Sequence, residues 1–214
     1  PQPGTDGDHT RTRDQRRKII RRFHGAHHRF RPACQQRRDI DRTRGHAHQT
    51  RTGAQCGFVA QRARAATADM AELARVGVVQ AMSLTHQWDD TLAQKVRDEE
   101  AKVDQYEDDL GTYLVKLSSR ELSHADSQSV NTLLHTISDF ERISDHSVNL
   151  LESAEEMHQK NIEFSKDAQE ELQVLEDAVQ DILSRTTDAF RKGDLHLASK
   201  VEPLEAVVNE LVRA

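Results

Sequence analysis

Aromatic residues and cysteines are scarce in this sequence, and long apolar runs are absent from it. Aromatic residues make up 4% of its 214 residues, and it contains two cysteines. Two cysteines exclude a disulfide-rich secreted scaffold. No apolar run approaches the roughly 18 residues that a membrane-spanning helix needs. We therefore expect a soluble or peripheral chain that does not itself cross a membrane.

Residues 1–64 contain no leucine and no glutamate, although both are among the commonest residues in proteins. They carry 16 Lys and Arg residues against 5 Asp residues, a net charge of +11, and show no apolar periodicity. We predict that this basic segment is disordered or non-native. Its composition favours translation of a GC-rich region in the wrong frame, and a basic arm that binds nucleic acid is the alternative.

Residues 65–214 have the opposite composition, with 31 Asp and Glu residues against 14 Lys and Arg residues, a net charge of −17. This charge argues against binding to nucleic acid or to an anionic membrane. No proline lies between Ala65 and Glu202, and glycine occurs there only at positions 77, 111 and 193. Long helices are therefore not interrupted, and the sequence predicts an all-α fold.

Apolar residues recur at helical spacing throughout this acidic part. In the second predicted helix they form one seam: Val96, Val103, Leu110 and Leu117, with Tyr106 and Tyr113 at the intervening positions. The pattern predicts helices over residues 65–87, 90–117, 127–159, 165–191 and 195–213. Short connections between long amphipathic helices favour an antiparallel bundle.

An internal repeat divides the predicted bundle into two units. Residues 92–96 and 197–201 are similar, and the same offset pairs Glu100 with Glu205 and Asp104 with Asn209. We predict a duplicated three-helix unit, complete over residues 65–159 and truncated after two helices over residues 160–214.

The truncated unit would keep an apolar face that its missing third helix should cover. Its residues are Leu172, Leu175, Val179, Ile182, Phe190, Val201, Leu204, Val208 and Leu211. Exposed apolar patches of this kind favour association. We therefore predict self-association through residues 165–213.

Two acidic pairs flank the apolar seams at i, i+4 spacing: Glu100 with Asp104, and Glu141 with Asp145. Like charges at this spacing destabilise a helix, and a bridging cation would reverse that effect. Carboxylates suit hard or borderline divalent or ferric ions. The spacing alone is not specific, because a solvated acidic face has it too, as at Asp104/Asp108, Glu163/Asp167 and Asp177/Asp181. We interpret His86, His124, His135, His158 and His196 as solvated helix residues.

Residues 139–150, DFERISDHSVNL, resemble the signature helix of PhoU domains, whose pattern is Glu-Arg-Ile-x-Asp-His-x-x-Asn. Residues 100–104 resemble the other acid-x-x-x-Asp motif of that family. The similarity extends over residues 65–214 and is closest to the PhoU-like tail of bacterial sodium/phosphate cotransporters. The resemblance implies a bundle of two three-helix units whose acidic motifs hold iron or zinc ions. It would make Glu100, Asp104, Glu141 and Asp145 metal ligands.

The same resemblance implies a function at the cytoplasmic side of the cell membrane. The chain would be the regulatory domain of a sodium-dependent phosphate transporter, with the transport domain of the same or another transporter as its partner. A free-standing adaptor between a phosphate transporter and a sensor kinase is the alternative. A carboxylate-bridged metalloenzyme would need two Glu-x-x-His pairs on helices, and within the predicted helices only Glu155/His158 has that spacing. We therefore expect no enzymatic activity.

Overall fold

The computed structural model describes residues 51–213, with side chains from residue 60 onward. Every regular element in this part of the chain is a helix, which confirms the predicted all-α class. The helices are α1 (Arg51–Ser83), α2 (Asp90–Ser118), α3 (His124–Gln159), α4 (Lys166–Lys192), α5 (Leu195–Ser199) and α6 (Val201–Arg213).

The helices begin and end at residues with clear capping roles. Asp89, Ser123 and Ser165 precede α2, α3 and α4, and each side chain accepts a hydrogen bond from a backbone N–H of the first turn. Gly193 ends α4 in the left-handed conformation, with φ of 72°. The predicted breaks between successive helices lie close to those observed. The predicted helix over residues 195–213 is divided at Lys200 into α5 and α6.

Interhelical contacts show the direction of packing. Arg97 on α2 pairs with Glu155 on α3, whereas Ser138 on α3 donates a hydrogen bond to Glu107 on α2. The numbers rise along α2 as they fall along α3, so the two helices are antiparallel. The helices α1, α2 and α3 all pack against one another, and α4 packs against α1 and α6. The predicted helical bundle is therefore present in the described part of the chain.

The core follows the predicted seams with one exception. Val96, Val103, Leu110 and Leu117 are all buried. Tyr106 is partly buried against the core, but Tyr113 is 42% exposed. The predicted seam position of Tyr113 is therefore wrong. Gly111 and Leu114 are the neighbouring residues that face inward: Leu114 is fully buried, and a Cβ on Gly111 would lie 3.7 Å from Ile137.

The apolar face of residues 165–213 is covered within the chain. Most of the residues predicted to lack a cover are buried, namely Leu172, Leu175, Val179, Ile182, Phe190, Val201 and Val208. Leu204 and Leu211 are partly buried against the same core. The expectation of an uncovered face is wrong, because α6 packs on α4 while α4 packs on α1. Self-association through residues 165–213 stays a prediction and loses this premise.

Helix α1 begins at Arg51, before the predicted boundary at residue 65. Residues 51–64 are therefore helical, residues 1–50 lie outside the described residues, and the division of the chain at residue 65 stays a prediction. The buried face of α1 consists largely of alanine: Ala60, Ala63, Ala68, Ala71, Ala74 and Ala81. A stripe of such small residues gives no strong hydrophobic periodicity, which explains why the sequence pattern placed the start too late.

Arg64, the last of residues 51–64, makes contacts that a chain starting at residue 65 would lose. Arg64 donates a hydrogen bond of 2.5 Å to the backbone oxygen of Phe190, and its guanidinium lies 5.2 Å from the centroid of that ring. A chain that starts at residue 65 should unfold at a temperature about 2–8 °C lower than one that starts at residue 51, since such contacts contribute about 1–2 kcal/mol. Circular dichroism melting of both chains measures the difference. Equal midpoints would contradict a packed role for residues 51–64.

Candidate metal centre

The four predicted ligands lie along the contact between α2 and α3. On α2, Glu100 and Asp104 flank the buried Val103. On α3, Glu141 and Asp145 flank the buried residues Ile143 and Ser144. Because the two helices are antiparallel neighbours, the acidic side chains of one helix face those of the other across the edge of the seam.

The structure brings three of the four carboxylates together. Glu100, Asp104 and Asp145 each place one oxygen within 4.8 Å of an oxygen of the other two, and none of the three residues is buried. Oxygen ligands lie about 2.0–2.6 Å from a hard cation, so two ligands of one ion lie up to roughly 5 Å apart. The spacing of these oxygens is therefore compatible with one hard cation bound by all three carboxylates.

The charges of this triad repel one another. Partial burial raises the pKa of Glu100, and the carboxylates of Asp104 and Asp145 raise it further. The pKa of Asp104 is raised by burial and then by Asp145, Glu107 and Asp108. Both shifts mean that Glu100 and Asp104 lose their protons less readily in the folded protein. A bound cation would offset the repulsion between the carboxylates.

Glu141 lies beside the triad and is not one of its three members. Burial, the charge of Asp145 and then that of Glu107 raise its pKa to about 7, and a hydrogen bond with Asp145 contributes. The fourth predicted ligand is thus close to Asp145 and carries a proton more readily than an ordinary carboxyl group. It can act as a hydrogen-bond donor to the triad or, when ionised, as a further oxygen ligand.

Glu107, which is not one of the four predicted ligands, belongs to the same acidic surface. Ser138 on α3 donates a hydrogen bond of 2.7 Å to its Oε1 atom. Its charge contributes to the raised pKa values of Asp104 and Glu141. Glu107 lies seven residues after Glu100, which places both on one helix face, and that periodicity was the available signal.

Three other polar residues make contacts that the sequence did not predict. Glu155 pairs with Arg97 at 2.8 Å, and His158 stacks on Trp88 with ring centroids 5.2 Å apart. These contacts engage both members of the Glu155/His158 pair. The prediction that His86 is a solvated helix residue is wrong, because its Nε2 atom lies 2.6 Å from a carboxylate oxygen of Glu176.

Comparison with known proteins adds one finding to this geometry. Residues 67–154 match the family model of the PhoU domain. The PhoU match includes all four predicted ligands, and Glu107 as well. It ends within α3, so α4, α5 and α6 lie beyond it.

Two further comparisons gave no match. No curated protein and no solved structure matches the chain. The predicted PhoU family is therefore supported over residues 67–154, whereas the link to sodium/phosphate cotransporters becomes part of a proposal.

Within residues 51–213, no helix combines the length and the apolar character that are needed to span a bilayer.

Proposed function

We propose that this chain is a regulatory module of phosphate homeostasis that binds a cation between α2 and α3. The observation that carries the proposal is the position of Glu100, Asp104 and Asp145. Their carboxylate oxygens lie within 4.8 Å of one another, inside the segment that matches the PhoU domain.

The chemistry of the donor set favours iron over zinc. All donors in the triad are carboxylate oxygens, which suit hard cations such as ferric ion, whereas zinc sites in proteins usually include nitrogen or sulfur. Glu100, Asp104 and Asp145 would hold the ion. When bound, the ion supplies positive charge that neutralises the opposed acidic faces of α2 and α3. Glu141 would then lose its proton and support the Asp145 carboxylate.

We propose a regulatory and not an enzymatic role, at the cytoplasmic side of the cell membrane. The partner in this proposal is the transport domain of a sodium-dependent phosphate transporter, in the same or another chain. A free-standing adaptor between a phosphate transporter and a sensor kinase is consistent with the same PhoU match. The genomic sequence upstream of residue 65, read in all frames, distinguishes the two: apolar segments of about 20 residues favour the transporter.

Metal analysis of the purified full chain tests the cation site. Ferrous or ferric ion should copurify or bind at a ratio near one per chain. The double change Glu141→Gln and Asp145→Asn should lower the affinity by at least about tenfold, because it removes one ligand charge and its support. Glu163→Gln with Asp167→Asn is the matched control, since both residues are exposed and have the same i, i+4 spacing.

Equal metal content in the wild type and in the Glu141/Asp145 variant would contradict the site. Equal loss in the Glu163/Asp167 control would show that the metal binds through overall charge and not through the triad.

A further inference from the structure

A close contact between a histidine and a glutamate joins α4 to the turn that follows α1. The Nε2 atom of His86 lies 2.6 Å from Oε2 of Glu176, and the Thr85 hydroxyl is 3.4 Å from Oε1. The side chain of Glu176 is 7% exposed, whereas that of His86 is 34% exposed. The carboxylate is therefore enclosed, and its partner has access to protons from solvent.

Two other contacts between α1 and α4 have no titrating cation. Arg191 on α4 lies 3.3 Å from Glu72 on α1, and Arg64 on α1 donates a hydrogen bond to the backbone of Phe190. Arginine stays charged at all physiological pH values, but histidine changes its charge between about pH 5 and 8. Among these three contacts, the one at Glu176 is made by a histidine, whereas the other two are made by arginines.

We propose that His86 and Glu176 form a charge-dependent latch that holds α4 against α1 and releases it as the pH rises. When His86 is protonated, its charge compensates the enclosed carboxylate. When His86 is neutral, Glu176 keeps hydrogen bonds but loses the compensating charge, and an uncompensated buried charge is costly. Solvation of Glu176 then requires α4 to separate from α1.

Burial raises the pKa of Glu176, opposed by the hydrogen bond and charge of His86 and by Thr85, while Asp177 on its own helix raises it. These neighbours lie in the turn after α1 and on α4 itself. A raised folded pKa stabilises the folded state at low pH, and this contribution is lost as the pH rises.

Hydrogen exchange of the full chain at pH 6 and pH 8.5, corrected for intrinsic exchange rates, tests the latch. The opening equilibrium of α4 amides should increase by about fivefold at the higher pH, since a charge-assisted hydrogen bond is about twice as strong as a neutral one. His86→Gln should show the faster exchange at both pH values. His86→Arg, which keeps a permanent charge, should show the slower exchange at both.

Arg191→Gln is the matched control, because it removes an ion pair between the same two helices that does not titrate. It should keep the pH dependence of the wild type. Glu176→Gln should remove that dependence even if other variants fold poorly. The latch is wrong if exchange in α4 responds to pH as strongly in His86→Gln and Glu176→Gln as in the wild type.

Discussion

Replacement of Phe140 by alanine is expected to lower the free energy of unfolding by about 3–5 kcal/mol, because it removes a large side chain from a closed core. Phe140 is 1% exposed on α3. Its ring meets that of Phe190 on α4 edge to face, with centroids 5.4 Å apart. Arg64 on α1 lies over the same Phe190 ring. The substitution therefore removes a contact at which α1, α3 and α4 meet.

Denaturant unfolding followed by circular dichroism measures this effect. Phe140→Leu is the conservative variant and should cost less than about 1.5 kcal/mol. Val174→Ala changes a side chain that is 53% exposed, so it should alter stability by no more than about 0.5 kcal/mol. A loss below about 1 kcal/mol in Phe140→Ala would mean that this side chain is not enclosed where α1, α3 and α4 meet, as the structure shows.

The boundaries of α2, α3 and α4 were predictable because large apolar residues and capping residues mark them. Asp89, Ser123 and Ser165 precede regular apolar stripes, and Gly193 follows the last one. Helix α1 was harder, since alanine forms most of its described buried face and its first residues include arginine, glutamine and glycine. The burial of α4 and α6 was not predictable from a repeat alone. A repeat shows which helices resemble one another. It does not show that the apolar face of α4 is covered by α1 and α6.

The residues of the candidate site were also predictable only in part from the sequence. Spacing and resemblance identified Glu100, Asp104 and Asp145, and antiparallel packing of α2 on α3 brings them together. Glu107 was missed although it lies seven residues after Glu100, because exposed acidic residues elsewhere on the helices share such spacings, and its hydrogen bond from Ser138 on another helix is not visible in the sequence. The pairing of His86 with Glu176 was also missed. It connects residues 90 positions apart, and no local pattern reports such a contact.

The pH dependence of the metal-free protein provides a second large expected effect. Glu141 has a pKa of about 7 in the folded protein, against an ordinary value of 4.5. The folded state therefore binds more protons than the unfolded state between these values, and stability must fall as the pH rises. The contribution is complete below pH 4.5 and is lost as the pH passes through about 7. The raised pKa values of Glu100 and Asp104 act in the same direction.

Thermal melting in the presence of a chelator at pH 5, 6, 7 and 8 should show a midpoint that decreases with pH. Glu141→Gln should flatten this decrease, because the amide cannot ionise beside Asp145. Glu163→Gln, which changes an exposed carboxylate, should leave the slope of the wild type unchanged. Addition of ferric or ferrous ion should restore the midpoint at pH 8 in the wild type, since the ion replaces the lost proton as the compensating charge. A midpoint that rises between pH 5 and pH 8 in both the wild type and Glu141→Gln would contradict the mutual repulsion of these carboxylates.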